Sequence, residues 1–258
     1  MTKDRIIELW KSVGWHTLED YHAYLNSTLD RITLVDLNPD EIDPKEFWKA
    51  SEEHFSTDPI CNHNNGYNKI FSIEESNKLN YRIPLYTGMI GQTLALVSYL
   101  KSKMGYVHIA EIGCGYGSFH DNFLKSCPHN PEYAGFDIIP RTPYAVEIEG
   151  KDGTFSPKQV LGYNEKYNLF FSSNTFQHLS KNQVKNYLTQ VYYMLPYGGY
   201  FNVMYALAKE SYHYGQTVKL YNKEEFEVLV KYIGFSIVGS TSMEIQNSLT
   251  PYSLILKK

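Results

Sequence analysis

Cysteine is scarce in this 258-residue chain, and the three present (Cys61, Cys114 and Cys127) are odd in number and widely spaced. That usage excludes a disulfide framework and suits a reducing compartment, so a cytoplasmic protein is expected. Long apolar runs are also missing, and no stretch reaches the length needed to span a bilayer. The opening Met1-Thr2-Lys3-Asp4 leads into a charged, periodic segment without the apolar core of a secretory signal. Nor is there a strong basic balance. Net charge is -4, with 8 basic and 15 acidic residues over 1–80 and 16 basic and 13 acidic over 81–258. A polyanionic partner favours a basic field, so the acidic first third argues against nucleic acid. His54, Cys61 and His63 resemble no standard zinc spacing and show no evident fourth ligand, so surface loop residues are expected there and no metal. No repeat or low-complexity tract occurs.

What the chain does have is an apolar fraction of 43%, ordinary for a globular core, and enough length for one large α/β domain with an appendage. Residues 5–27 carry apolar positions at three- and four-residue spacing and predict a helix. A second short helix is expected over 44–55, opened by Pro44, followed by a loop rich in Asn, Pro, Gly and His over 56–69. Residues 1–80 thus form an N-terminal helical extension, either a lid, a dimer contact or a partner surface, and residues 81–258 form the main domain. A long apolar helix is expected over 84–104. From residue 106 strands and helices alternate. Strands are expected at 106–112, 133–137, 144–149, 167–172, 200–205, 235–243 and 251–257, and helices at 117–126, from Ser180 to Leu195, and at 223–233. This alternation predicts a doubly wound, mainly parallel seven-stranded sheet, and the final strand pair without an intervening helix predicts an antiparallel edge strand.

The chemistry centres on Glu111-Ile112-Gly113-Cys114-Gly115-Tyr116-Gly117, which follows the first of these strands. Glycines at alternate positions let the backbone turn tightly or approach a ligand, and ligands of doubly wound sheets bind at the carboxyl ends of the strands. A dinucleotide fingerprint would read G-x-G-x-x-G, but position 118 is serine. The Lys-Ser/Thr of a phosphate-binding loop is missing as well. A carboxylate directly before the first glycine repels a pyrophosphate and can pair with a cationic ammonium group. The pattern therefore points to an amino-acid-bearing nucleoside.

At this point the sequence resembles the class I S-adenosylmethionine-dependent methyltransferases, whose Rossmann-like fold is the sheet expected above. Their first motif, an acidic residue followed by G-x-G-x-G, is matched by Glu111 to Gly117, with Cys114 inside it. Their second is an acidic residue ending strand two that holds the ribose hydroxyls, matched by Asp137 with Ile138 beside it. A third, after strand three, faces the adenine, and Lys151-Asp152-Gly153 fits it. The run Phe170-Phe171-Ser172-Ser173-Asn174-Thr175-Phe176-Gln177-His178-Leu179, the turn Leu195-Pro196-Tyr197-Gly198-Gly199 and the ending Gly234-Phe235 follow the family's later course. The resemblance covers residues 84–258 and implies S-adenosyl-L-methionine as cofactor, with Ser173 and Asn174 adding to its site. One departure is the six-residue gap from Asp137 to Tyr144, too short for the usual helix between strands two and three.

An oxygen nucleophile needs a base, and His178 is the candidate by position, although capping the following helix is an equally simple role for it. His120 reads as an ordinary helix residue. Tyr212, His213 and Tyr214 lie in the loop after strand five, where the family builds its acceptor pocket. Arg82 is a candidate for the cofactor carboxylate, and Tyr86 for the acceptor. The 23 tyrosines offer flat faces with polar tips suited to a sugar, though composition bias accounts for them as simply. Strand four ends in Ser-Ser-Asn-Thr, unlike amino-methylating nucleic-acid enzymes. The expectation is an O-methyltransferase of a small hydroxylated acceptor such as a sugar or metabolite. The alternatives are a cofactor-binding regulatory or scaffold protein of the same fold, and a nicotinamide-dependent oxidoreductase.

Overall fold

The computed structural model describes residues 84–258 except 116, 118, 209–211, 215–217 and 243–249, together with residues 43, 45, 46, 48 and 49. Within these stretches the side chains of 84–87, 206–208, 212–214, 218–220, 242, 250 and 251 are outside the description. The helix expected over 5–27 also falls outside it. Residues 45, 46, 48 and 49 are helical, inside the helix expected over 44–55.

Helix α1 spans Pro84–Met104, and is followed by β1 (His108–Ile112), a π-helical turn (His120–Leu124), β2 (Glu132–Asp137) and β3 (Ala145–Glu147). Then come α2 (Pro157–Gly162), β4 (Leu169–Ser172), a 3-10 turn (Phe176–His178), α3 (Lys181–Met194) and β5 (Tyr200–Ala208). The chain ends with β6 (Tyr212–Tyr214), β7 (Val218–Asn222), α4 (Lys223–Ile233), β8 (Ser236–Ser242) and β9 (Thr250–Lys257). Strands β3, β2, β1, β4 and β5 lie side by side in that order, all parallel. On the far side of β5 lies β9, antiparallel, and β8 pairs with β9. This is the doubly wound sheet that the alternation predicted, with its antiparallel pair at the expected end.

The residues explain the elements. All four residues of β4 are buried, which is why that strand is nearly continuous in apolar side chains. Helix α3 starts at a capping box in which Ser180 accepts from the Gln183 N–H and Gln183 reaches back. Its Val184, Leu188 and Val191 enter the core on one face of the sheet, together with Phe226 and Val230 of α4. Asn222 caps α4, and Gly234, at φ 119°, ends it. The opposite face is covered by α1 through Met89, Val97 and Leu100.

Three elements differ from expectation. Helix α2 carries its own capping box at Ser156 and Gln159, but six residues are too few to show periodicity. The segment read as a loop after β5 contains the β6–β7 hairpin, and β7 pairs with Leu207 and Ala208 at the carboxyl end of β5. Of the helix expected over 117–126, the described helical residues are Phe119 and the π-helical turn, where the Lys125 N–H donates to the His120 carbonyl. Among the described residues no helix is long and apolar enough to cross a membrane.

A buried polar clip fastens α1 to the sheet. Asn202 Nδ2 donates to Thr93 Oγ1 at 3.0 Å and to the Met89 carbonyl at 3.3 Å, while Ser253 Oγ donates to Asn202 Oδ1 at 2.8 Å. All three side chains are fully buried. Asn202→Ala leaves the Ser253 hydroxyl without its acceptor and should cost about 2–3 kcal/mol, read as a lower urea midpoint at unchanged m-value.

Candidate functional site at the carboxyl ends of the strands

The switch in strand order falls between β1 and β4. Beyond the end of β1 the chain passes through Gly113, Gly115 and Gly117 at φ 74°, 52° and 77°, the left-handed region that favours glycine. The three glycines have different duties. A Cβ on Gly113 would strike the Thr175 hydroxyl, and one on Gly117 the Tyr144 ring. Gly115 faces open space, with nothing among the described residues within 4 Å of the same point. Close approach of a ligand therefore explains only Gly115, and the other two make room for the protein's own side chains. The turn is pinned by the Gly113 N–H to the Phe136 carbonyl (2.7 Å) and the Gly117 N–H to the Cys114 carbonyl (2.8 Å). Cys114 is buried, its sulfur packed over Gly135.

Asp137, the last residue of β2, faces this turn. Its Oδ2 accepts from the Gly115 N–H at 2.8 Å, its Oδ1 accepts from the Ile139 N–H at 3.1 Å, and Arg141 lies 3.6 Å away. Burial raises the pKa of this carboxyl group, against the opposing pull of the two N–H donors and the Arg141 charge. Beside it a cleft opens over the ends of β2 and β3, lined by Ile138, Glu147, Ile148 and Gly153 and, from the N-terminal extension, by Asp43 and Lys45. Lys45 is ion-paired with Glu147.

Glu111 lies beneath the turn, buried, accepting a hydrogen bond from the Tyr133 hydroxyl at 2.5 Å. Burial pushes its carboxyl group up to about 8. The Tyr133 hydrogen bond pulls the other way, and the charge of Asp137 adds to the rise. His120 packs between Tyr133 and Tyr144, with ring centroids at 4.8 and 4.3 Å. It belongs to an aromatic cluster under the turn, which its place in an expected regular helix did not reveal.

The β4 side closes the site. The hydroxyls of Ser172 and Thr175 both donate to the Ile112 carbonyl, at 3.0 and 3.3 Å. Asn174 is exposed and holds φ 56°, a conformation that asparagine tolerates better than most residues. The Ser173 Oγ is buried with no hydrogen-bond partner among the described residues. His178 ends the 3-10 turn, and the indole of Trp48 meets its ring edge-on at 5.2 Å and 89°.

Glu111, Gly113, Cys114, Gly115, Gly117, Asp137, Ile138, Ser173, Asn174 and His178 thus converge on one end of the sheet. Asp152 and Gly153 lie in the turn after β3. The Asp152 carboxylate accepts from Thr154 Oγ1 (2.8 Å) and Asn186 Nδ2 (2.9 Å), and the Gly153 carbonyl accepts from the Tyr187 hydroxyl (2.6 Å). Burial alone would raise the Asp152 pKa, but these hydrogen bonds outweigh it and hold the group below its usual value. The pair stitches the turn to α3. Arg82 and the side chains of Tyr86, Tyr212, His213 and Tyr214 lie outside the described residues, as do His54, Cys61 and His63. Thr175, Tyr133, Tyr144, Arg141 and Trp48 were not legible as site residues, because each acts through a contact distant in sequence or without a local pattern.

No family model matches the chain. A stretch of 106 residues is 33% identical to malonyl-[acyl-carrier protein] O-methyltransferase 1 of Ilyobacter polytropus, covering 38% of this chain and 37% of that protein. The chain thus spans little more than a third of that relative's length. The 1,6-didemethyltoxoflavin-N1-methyltransferase of Burkholderia thailandensis, crystallised with 1,6-didemethyltoxoflavin and S-adenosylhomocysteine, superposes with a TM-score of 0.54 at 13% identity. That superposition covers 88% of this chain and 94% of the other. The chain has the class I S-adenosylmethionine-dependent methyltransferase fold that its motif series resembles.

The Glu111 pKa, about 8 when folded against 4.5 in the free group, makes stability depend on pH. Between those values the folded protein keeps a proton that the unfolded chain has lost. The stabilisation is complete below pH 4.5 and is lost as pH rises through 8, at up to about 1.4 kcal/mol per pH unit. Urea titrations of wild type and Glu111→Gln across that window should diverge, with only wild type carrying this slope.

Proposed function

We propose that the chain binds S-adenosylmethionine over the carboxyl ends of β1, β2 and β4 and transfers its methyl group to oxygen on a small hydroxylated acceptor. The observation that carries this reading is the open face of Gly115, whose N–H is held on the carboxylate of Asp137. It sets a bare backbone and an acidic acceptor side by side where a ribose can dock. The cleft continues past Ile138, which offers an apolar surface for the adenine, with Gly153 at its rim. The buried Ser173 hydroxyl and the neighbouring Asn174 supply further polar contacts. Arg82, which precedes the first residue of α1 (Pro84) by two positions, is assigned to the cofactor carboxylate.

Bound S-adenosylmethionine supplies an electrophilic methyl group. The protein's own work is to align the acceptor, exclude water and take up the proton that a hydroxyl releases. His178 is the base in this reading. The β6–β7 hairpin stands at the carboxyl end of β5, which supports Tyr212, His213 and Tyr214 as acceptor contacts, with Tyr86 as a further one. Residues 1–80 act as a cap, supported by Lys45 at Glu147 and Trp48 at His178. The two similar proteins differ in the atom their names specify, O in one and N1 in the other. Oxygen is chosen here because a histidine, suited to deprotonating a hydroxyl, stands beside the site, and a sugar is the acceptor class that the tyrosines favour. The free Cys114 and Cys127 thiols support a cytoplasmic setting.

Calorimetry with S-adenosylmethionine, S-adenosylhomocysteine and NAD tests the cofactor, and absence of binding by both adenosyl compounds would overturn the proposal. Asp137→Ala should weaken S-adenosylhomocysteine binding about 30-fold or more. If Glu111 meets the cofactor's ammonium group it must first release its proton. Affinity should then rise with pH between about 6 and 8, by up to about tenfold per unit, and be flat in Glu111→Gln. Radiolabelled methyl transfer into a pooled metabolite and glycan extract separates an enzyme from a binding protein. In that assay His178→Gln should lose most of the transfer, and full retention would remove His178 as base.

A further inference from the structure

We propose that Trp48, from the N-terminal extension, is a positioning residue that fixes the imidazole of His178. This rests on the reading of His178 as the acceptor-side base.

His178 stands on a three-residue 3-10 turn. The turn itself is anchored, because Phe176 is fully buried and the His178 N–H donates to the Thr175 carbonyl at 2.9 Å. χ2 of histidine is broad, and Gln177 Nε2 meets His178 Nε2 at 3.4 Å, so contacts from outside the turn bear on the ring's orientation. The Trp48 indole closes against that ring at 5.2 Å and 89°, an arrangement that aromatic quadrupoles favour. An edge-on pair is directional, so it selects one ring orientation where apolar contact alone would not.

The segment that carries the indole is tied to the sheet. Three residues earlier Lys45 is ion-paired with Glu147 at the end of β3, while His178 follows β4, three strands away in the sheet. The short helical stretch around Trp48 therefore bridges two sides of the same strand ends, and brings an aromatic side chain to the histidine from outside the sheet. Ring orientation decides which hydrogen bond each nitrogen can make, and that hydrogen bond sets the tautomer, so a residue controlling the orientation controls which nitrogen takes up the acceptor proton.

The test uses the full chain labelled with 15N-histidine, with His178→Gln assigning the signal. Ring nitrogen shifts report the tautomer ratio of His178 directly. Wild type should show a skewed ratio that Trp48→Phe keeps. Trp48→Leu and Trp48→Ala should move it towards the ratio of free imidazole by about threefold or more, the range an aromatic pair supports. S-adenosylhomocysteine affinity should stay within about twofold in every Trp48 variant, and thermal unfolding confirms that each is folded. Unchanged His178 shifts in both Trp48→Leu and Trp48→Ala would overturn the proposal. So would a Trp48→Phe variant as altered as Trp48→Leu, or a large loss of S-adenosylhomocysteine affinity, which would make the indole a cofactor cap. The shifts are measured without ligand. Failure of the cofactor or base reading therefore appears only in calorimetry and in the His178→Gln transfer assay.

Discussion

The hydrogen bond from the Gly115 N–H to the Asp137 carboxylate is the constraint around which this end of the molecule is arranged. It requires β1 and β2 to be neighbours in parallel register, so that the turn after Ile112 faces the end of β2. The Gly113 and Cys114 N–H groups on the Phe136 carbonyl hold the turn down on the same strand. Three backbone donors thus engage two consecutive residues of β2, and the open face of Gly115 points away from all of them. Moving β2 by one residue would turn Asp137 to the other face of the sheet.

Around this constraint the protein buries charge in a graded way. Asp137 keeps partners on both oxygens. Glu111, deeper, is held by the Tyr133 hydroxyl, and its burial keeps a proton into the neutral range. The aromatic rings of Tyr133, His120 and Tyr144 pack together under the glycine turn. The short crossover between β2 and β3 brings Tyr144 into the room left by Gly117.

Much of this was legible in the residues. Alternation gave the strands and their mainly parallel order, because β4 is apolar throughout and Ser180–Gln183 and Asn222 mark their helices by cap chemistry. The glycine spacing and Asp137 located the site. What escaped had a common cause. Helix α2 is too short to carry a period, and β6 and β7 fall in a segment whose residues read as a loop. The π-helical turn departs from a regular helix at His120, whose partners Tyr133 and Tyr144 are distant in sequence. Thr175, Arg141 and Trp48 reach the site from positions with no local pattern. The glycines were legible as glycines, but their reasons were not: two of the three are conformational fits to Thr175 and Tyr144.

The fit of Thr175 into the space over Gly113 has a consequence for how such a molecule diversifies. The two positions share one small volume, so a side chain gained at 113 would have to be surrendered at 175. Thr175 also ties its loop to the Ile112 carbonyl and to the chain at Ser173. Residues up to 175 are therefore bound to the history of the turn after β1. The coupling does not stop there: Phe176 is buried and the His178 N–H donates to the Thr175 carbonyl, so a change at 113 would be felt as far as the 3-10 turn.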